Sequence, residues 1–93
     1  MITWDEKKRK KVIKDHGIDF EKVGELFDDQ FAIYIEDHEH EDFEERWLII
    51  ARSSEYGLVL AVYTFHGEDI RLITARRAEK WMERLYEQQR NQT

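Results

Sequence analysis

The chain has 93 residues, 39% of them charged and 41% hydrophobic, with 15 Lys and Arg against 21 Asp and Glu, a formal charge of −6 and no cysteine. That length suits one domain over residues 1–93, and the lack of cysteine excludes disulfides and thiolate metal sites and fits a reducing cytoplasm. No apolar run approaches the ~20 residues a membrane-spanning helix needs, and the net negative charge argues against indiscriminate nucleic-acid binding.

In chain order, Thr3-Trp4-Asp5-Glu6 has the form of a capping box. The pattern predicts a first helix over residues 4–15, closed by a left-handed Gly17. Trp4, Lys8, Val12 and His16 recur at i, i+4 spacing and share one face of it. Asp19 is placed to cap a second helix, with Ile18 and Val23 as a hydrophobic staple and Phe20, Val23, Leu26 and Phe27 as its apolar stripe.

The period then changes from helical to alternating. Phe31, Ile33 and Ile35 read as one face of a strand. Residues 36–45 hold seven carboxylates and no lysine or arginine, so the remainder balances 15 basic against 14 acidic residues. This acidic segment is expected to be a loop or frayed strand ends, and His38 and His40 within it fall short of a metal site.

Residues 46–53 predict the next strand, with Trp47, Ile49 and Ala51 on one face. Residues 57–65 are apolar on both faces, as a central strand requires, and Gly67-Glu68-Asp69 turns the chain into a strand over 70–75. Short connections favour an antiparallel meander. Ala78, Trp81, Met82, Leu85 and Tyr86 repeat with helical period and predict a last helix from about Ala78. The expected architecture is α+β: two N-terminal helices, an antiparallel sheet of three to four strands and a C-terminal helix. In this reading all the helices lie on one sheet face. The other face, carrying Arg46, Leu48, Ile50 and Arg52, is then a docking surface.

Residues 70–78 are the most informative stretch. A strand containing Arg71 runs into Arg76 and Arg77 and then into a helix. Guanidinium groups at a sheet edge make a poor core but suit a phosphodiester, because their planar fork pairs with phosphate oxygens and stays charged.

The set Trp4-Asp5-x-x-Lys8, His16-Gly17-x-x-Phe20, Phe27-x-Asp29, Glu45-Arg46, residues 70–78 and Glu83-x-x-Tyr86 resembles the BrnT family of type II toxins. The resemblance spans nearly the whole chain. It implies a RelE-like fold and a metal-independent endoribonuclease without cofactor that arrests translation. It also implies a BrnA-type antitoxin as partner, with operator DNA contacted only through that antitoxin. The chain departs from the family's usual residues at Val12 (asparagine), Asp15 (lysine) and Thr74 (serine). An alternative on the same residues is a weakly active homologue that keeps only its antitoxin-binding role.

Metal-free RNA cleavage uses the neighbouring 2′-hydroxyl as nucleophile and needs proton transfer and cations around the phosphorane. Arg71 and Arg76 are the first candidates for the phosphate, with Arg46 from the preceding strand as a third. His16 is the candidate acid or base, since an unperturbed imidazole titrates near neutrality. Lys8, on the same helical face, and Arg77, at the start of the last helix, are candidate RNA contacts. The basic run at residues 7–11 is scattered around its helix and reads as a solvated surface.

Overall fold

In the computed structural model, residues 1–37 and 45–92 are described. They form β1 (Ile2–Thr3), α1 (Glu6–His16), two 3-10 turns (Phe20–Lys22 and Gly24–Asp28), β2 (Ile33–Asp37), β3 (Arg46–Ser53), β4 (Gly57–His66), β5 (Asp69–Arg77) and α2 (Lys80–Asn91). The expected acidic loop with His38 and His40 lies largely outside the described residues. Among these, no helix is long and apolar enough to cross a membrane.

Two local expectations are corrected at the N-terminus. The cap of α1 is Asp5, whose carboxylate accepts from Lys7 N–H at 2.8 Å. Thr3 instead belongs to β1, and its hydroxyl donates to the Ile70 carbonyl at 3.4 Å. Two strand residues are too few to show an alternating pattern, so the capping signature masked them. At the other end of α1, Gly17 has the expected left-handed conformation (φ 69°), and its N–H donates to the Ile13 carbonyl at 2.9 Å.

The second helix is also corrected: Asp19 caps a 3-10 turn, not an α-helix. Phe20, Val23 and Leu26 are spaced by three residues and almost fully buried. A repeat of three matches the three residues per turn of a 3-10 helix, whereas an α-helix would rotate each successive side chain further from the core. Burying side chains of this kind contributes roughly 1.5–3 kcal/mol each, which outweighs the poorer hydrogen-bond geometry.

The sheet has five strands in the order β1-β5-β4-β3-β2. β2 to β5 form the expected antiparallel meander, and β1 adds a parallel pair, Ile2 with Ile70 and Thr3 with Arg71. The sheet is therefore mixed, with one strand more than the sequence pattern suggested. On one face, α1 and the 3-10 turns cover Ile49, Ala51, Val59, Ala61, Tyr63, Leu72 and Ala75. On the other, α2 sets Met82 and Tyr86 against Ile50 and Leu60.

The helices thus occupy both faces, not one. Ile50 is fully buried, which overturns its assignment to an open docking surface. The physical reason is legible in β4, whose two apolar faces each need a cover.

Within β5 the register shifts. Val62 pairs with Thr74 and Tyr63 with Leu72, leaving Ile73 as a bulge. The strand also continues through Arg76 and Arg77, beyond its expected end at Ala75, and α2 begins at Lys80, after the expected start at Ala78.

Candidate functional site: a cationic cleft at the β4–β5 end

Strand pairing builds the site. Tyr63 and Phe65 stack edge-on at 5.7 Å on the α1 side of β4, so alternation turns Thr64 and His66 to the other face. Thr64 pairs with Arg71 across β5, and Arg46 enters at the start of β3 beside Asp37 of β2. From α1, Lys8 reaches the same place. The result is a cleft of about 380 Å³ lined by Lys8, Arg46, Thr64, His66, Arg71, Leu72 and Ile73.

The charges in this cleft are lopsided. Among the described residues that line it, three side chains are cationic and none is a carboxylate. Among the described residues, Arg71 and Lys8 make no ion pair or side-chain hydrogen bond, whereas Arg9 is held by Asp19, Arg52 by Glu87 and Arg76 by Glu79. Leaving Arg71 and Lys8 close together without an ion pair is unfavourable for folding alone, and a bound phosphate relieves it. Thr64 contributes rigidity: its hydroxyl donates to the Glu45 carbonyl at 2.6 Å, fixing the approach to Arg46.

The structure brings together Arg71, Arg46 and Lys8. It does not bring the other sequence candidates to the same point. Arg76 lies five residues beyond Arg71, about 16 Å along an extended strand, and its guanidinium donates to Glu79 at 2.9 Å. His16 lies eight residues beyond Lys8, about 12 Å along the helix. It lines an adjoining cleft of about 220 Å³ with Lys8, Lys11, Val12, Asp15, Ile73 and Thr74. Arg77 points to the α1 side, donating to the His16 carbonyl at 3.3 Å and lying over the Tyr56 ring at 5.5 Å.

His66 and Thr64 were missed by sequence reasoning. The available signal was alternation from Tyr63 and Phe65 to the Gly67 turn, but placing those residues beside Arg71 requires the register. Of the three departures from the family pattern, Val12 is a core residue. Asp15 and Thr74 line the cleft with His16.

A larger groove of about 750 Å³ lies near the 3-10 turns and α2 and includes Asp29, Arg52 and Tyr86. Its central carboxylate has a structural task. Asp29 accepts from Phe31 N–H at 2.9 Å, Arg52 N–H at 3.0 Å and the Tyr86 hydroxyl at 2.7 Å. Burial pushes this carboxyl up, but the hydrogen bonds outweigh it and leave the group below its ordinary pKa.

Among the described residues, no group of three or more His, Asp or Glu could hold a metal ion. Among curated proteins no match is found. A solved structure, the 1.1 Å crystal structure of the Brucella abortus ribonuclease toxin BrnT, matches with a TM-score of 0.67 and 26% identity, covering 85% of this chain and 96% of that one. The family model described as "Ribonuclease toxin, BrnT, of type II toxin-antitoxin system" matches residues 4–81. This chain therefore belongs to the BrnT family of ribonuclease toxins of type II toxin–antitoxin systems.

Proposed function

We propose that this chain is a single-domain, metal-independent endoribonuclease toxin acting in the cytoplasm, and that Arg71, Arg46 and Lys8 grip the scissile phosphodiester. The observation that carries the reading is the cleft in which, among the described residues, Arg71 and Lys8 make no ion pair and converge with Arg46 beside no lining carboxylate. The 2′-hydroxyl attacks phosphorus, and the guanidinium forks stabilise the charge that accumulates on the phosphoryl oxygens. A preorganised donor of this kind is worth roughly 10²–10³ in rate. Lys11 and His16, farther along α1, and Arg77, at the end of β5 against the His16 carbonyl, contact flanking nucleotides. Arg76 is the weakest candidate for the phosphate, because Glu79 already occupies it.

The partner is a BrnA-like antitoxin, which alone contacts operator DNA. Expression without that partner arrests growth, and purified protein cleaves RNA in EDTA. Arg71→Ala, with an unchanged circular dichroism spectrum, lowers cleavage by at least 100-fold. Near-normal cleavage by that variant rejects the assignment, and cleavage that stops in EDTA rejects metal independence. Asp15 favours a second reading, a weakened toxin that mainly binds its antitoxin, since it sets a carboxylate beside His16 in the adjoining cleft. Growth arrest separates the two.

A further inference from the structure

The cationic cleft holds one group that neither its phosphate-binding role nor the sequence pattern assigns. We infer that His66 is the catalytic general acid that protonates the leaving 5′-oxygen, an inference that rests on the ribonuclease reading of this site.

Elimination among the lining residues leads there. Arginine does not deprotonate in proteins, so Arg46 and Arg71 supply charge but no transferable proton. An unperturbed lysine titrates near 10.4, which makes it a poor proton donor at neutral pH. The Thr64 hydroxyl already donates to the Glu45 carbonyl at 2.6 Å. Leu72 and Ile73 are apolar. His66 remains, and imidazole is the side chain suited to giving up a proton near neutrality.

Its position fits the task. His66 shares a sheet face with Thr64 and lies two residues further along β4, about 7 Å from the row that contains Arg71. For a phosphoryl group gripped by Arg71, the proposal places the bridging 5′-oxygen on the side of the hairpin end, toward His66. The two-residue turn Gly67-Glu68 is tight, with positive φ (65°) at Gly67 only, the pattern of a type II′ turn that holds both strands in register. Charged groups facing His66 are Lys8 from α1, Arg46 from β3, and Arg71 and Asp69 from β5. Asp69 pairs with His66 across the hairpin and also holds the N-terminal amine at 3.3 Å.

The step balances without a further reactant. A bond forms from the 2′-oxygen to phosphorus as the phosphorus–5′-oxygen bond breaks. The 2′-hydroxyl proton passes to water, and the imidazolium proton passes to the departing 5′-oxygen. The products are a 2′,3′-cyclic phosphate and a 5′-hydroxyl.

The test compares two RNA substrates, one natural and one with sulfur replacing the bridging 5′-oxygen, because a thiolate leaves without protonation. His66→Ala and the closer His66→Asn are expected to cleave the natural substrate at least about 100-fold slower than wild type, and the sulfur substrate within a few-fold of it.

Equal slowing on both substrates, or normal cleavage of the natural one, overturns the role of His66. Arg71→Ala serves as the companion measurement. If it is slow on both substrates while His66→Ala fails to show sulfur rescue, the ribonuclease site stands and only the His66 assignment falls. If wild type cleaves neither substrate, both fall.

Discussion

Asp19→Asn tests how α1, the helix that carries Lys8, is held in place. The Asp19 carboxylate accepts from Arg9 Nε at 2.8 Å and Nη2 at 3.0 Å, and also from Glu21 N–H at 3.0 Å. Arg9's bonds, working against burial, lower the carboxyl from 3.8 to about 2. At about 1.4 kcal/mol per unit, a fall from 3.8 to about 2 is linked to roughly 2 kcal/mol of stability. Solvent screening, with the two side chains 23% and 18% exposed, trims this to roughly 1–2 kcal/mol.

The sign follows from the depressed folded value. The contribution is complete well above 3.8, declines as pH falls toward 2, and is absent below it. Urea unfolding of wild type and variant measures it. The expected gap of roughly 1–2 kcal/mol at pH 7 shrinks to about half at pH 3, where the unfolded carboxyl is mostly protonated. A gap of the same size at both pH values refutes a charge-based tie, and no gap at pH 7 refutes the tie altogether.

Three further outcomes follow from the same geometry. Arg76→Ala loses only an exposed pair with Glu79, which solvent screens, and RNA cleavage assays are expected to find it within about three-fold of wild type. Lys8→Ala removes one phosphate contact, so the slope of log Kd for a non-cleavable single-stranded RNA against log salt drops by about 0.7. Met82→Ala opens a cavity between α2 and the sheet and costs about 2–5 kcal/mol by denaturant unfolding, a loss that an exposed helix face would not show.

Much of this fold is written in local patterns that survive packing. Gly17 ends α1 as its position suggests, the alternation of β2 to β5 gives the meander, and the apolar run of β4 demands cover on both faces. The failures share one physical origin: tertiary contacts chose between local options of similar energy. Thr3 could cap a helix or pair with β5, and the pairing with Ile70 and Arg71 decided it. Residues 20–28 could continue as an α-helix, but a repeat of three buried side chains favours the tighter turn.

The site is legible to a lesser degree, because sequence proximity misleads across a bulge. Arg71 and Arg76 look like members of one cluster, and in an unbroken strand an odd spacing would turn them to opposite faces. The bulge at Ile73 restores a common face: Arg71 pairs with Thr64, and Arg76 with Leu60. Separation along β5 still keeps them from one phosphate. The partners of Arg71 come instead from a helix and two other strands, Lys8, Arg46 and His66. The cleft is thus a property of register and not of the arginine-rich motif. Moving the bulge beyond Arg76 would turn Arg76 to the opposite face while the hairpin turn kept Arg71 opposite Thr64.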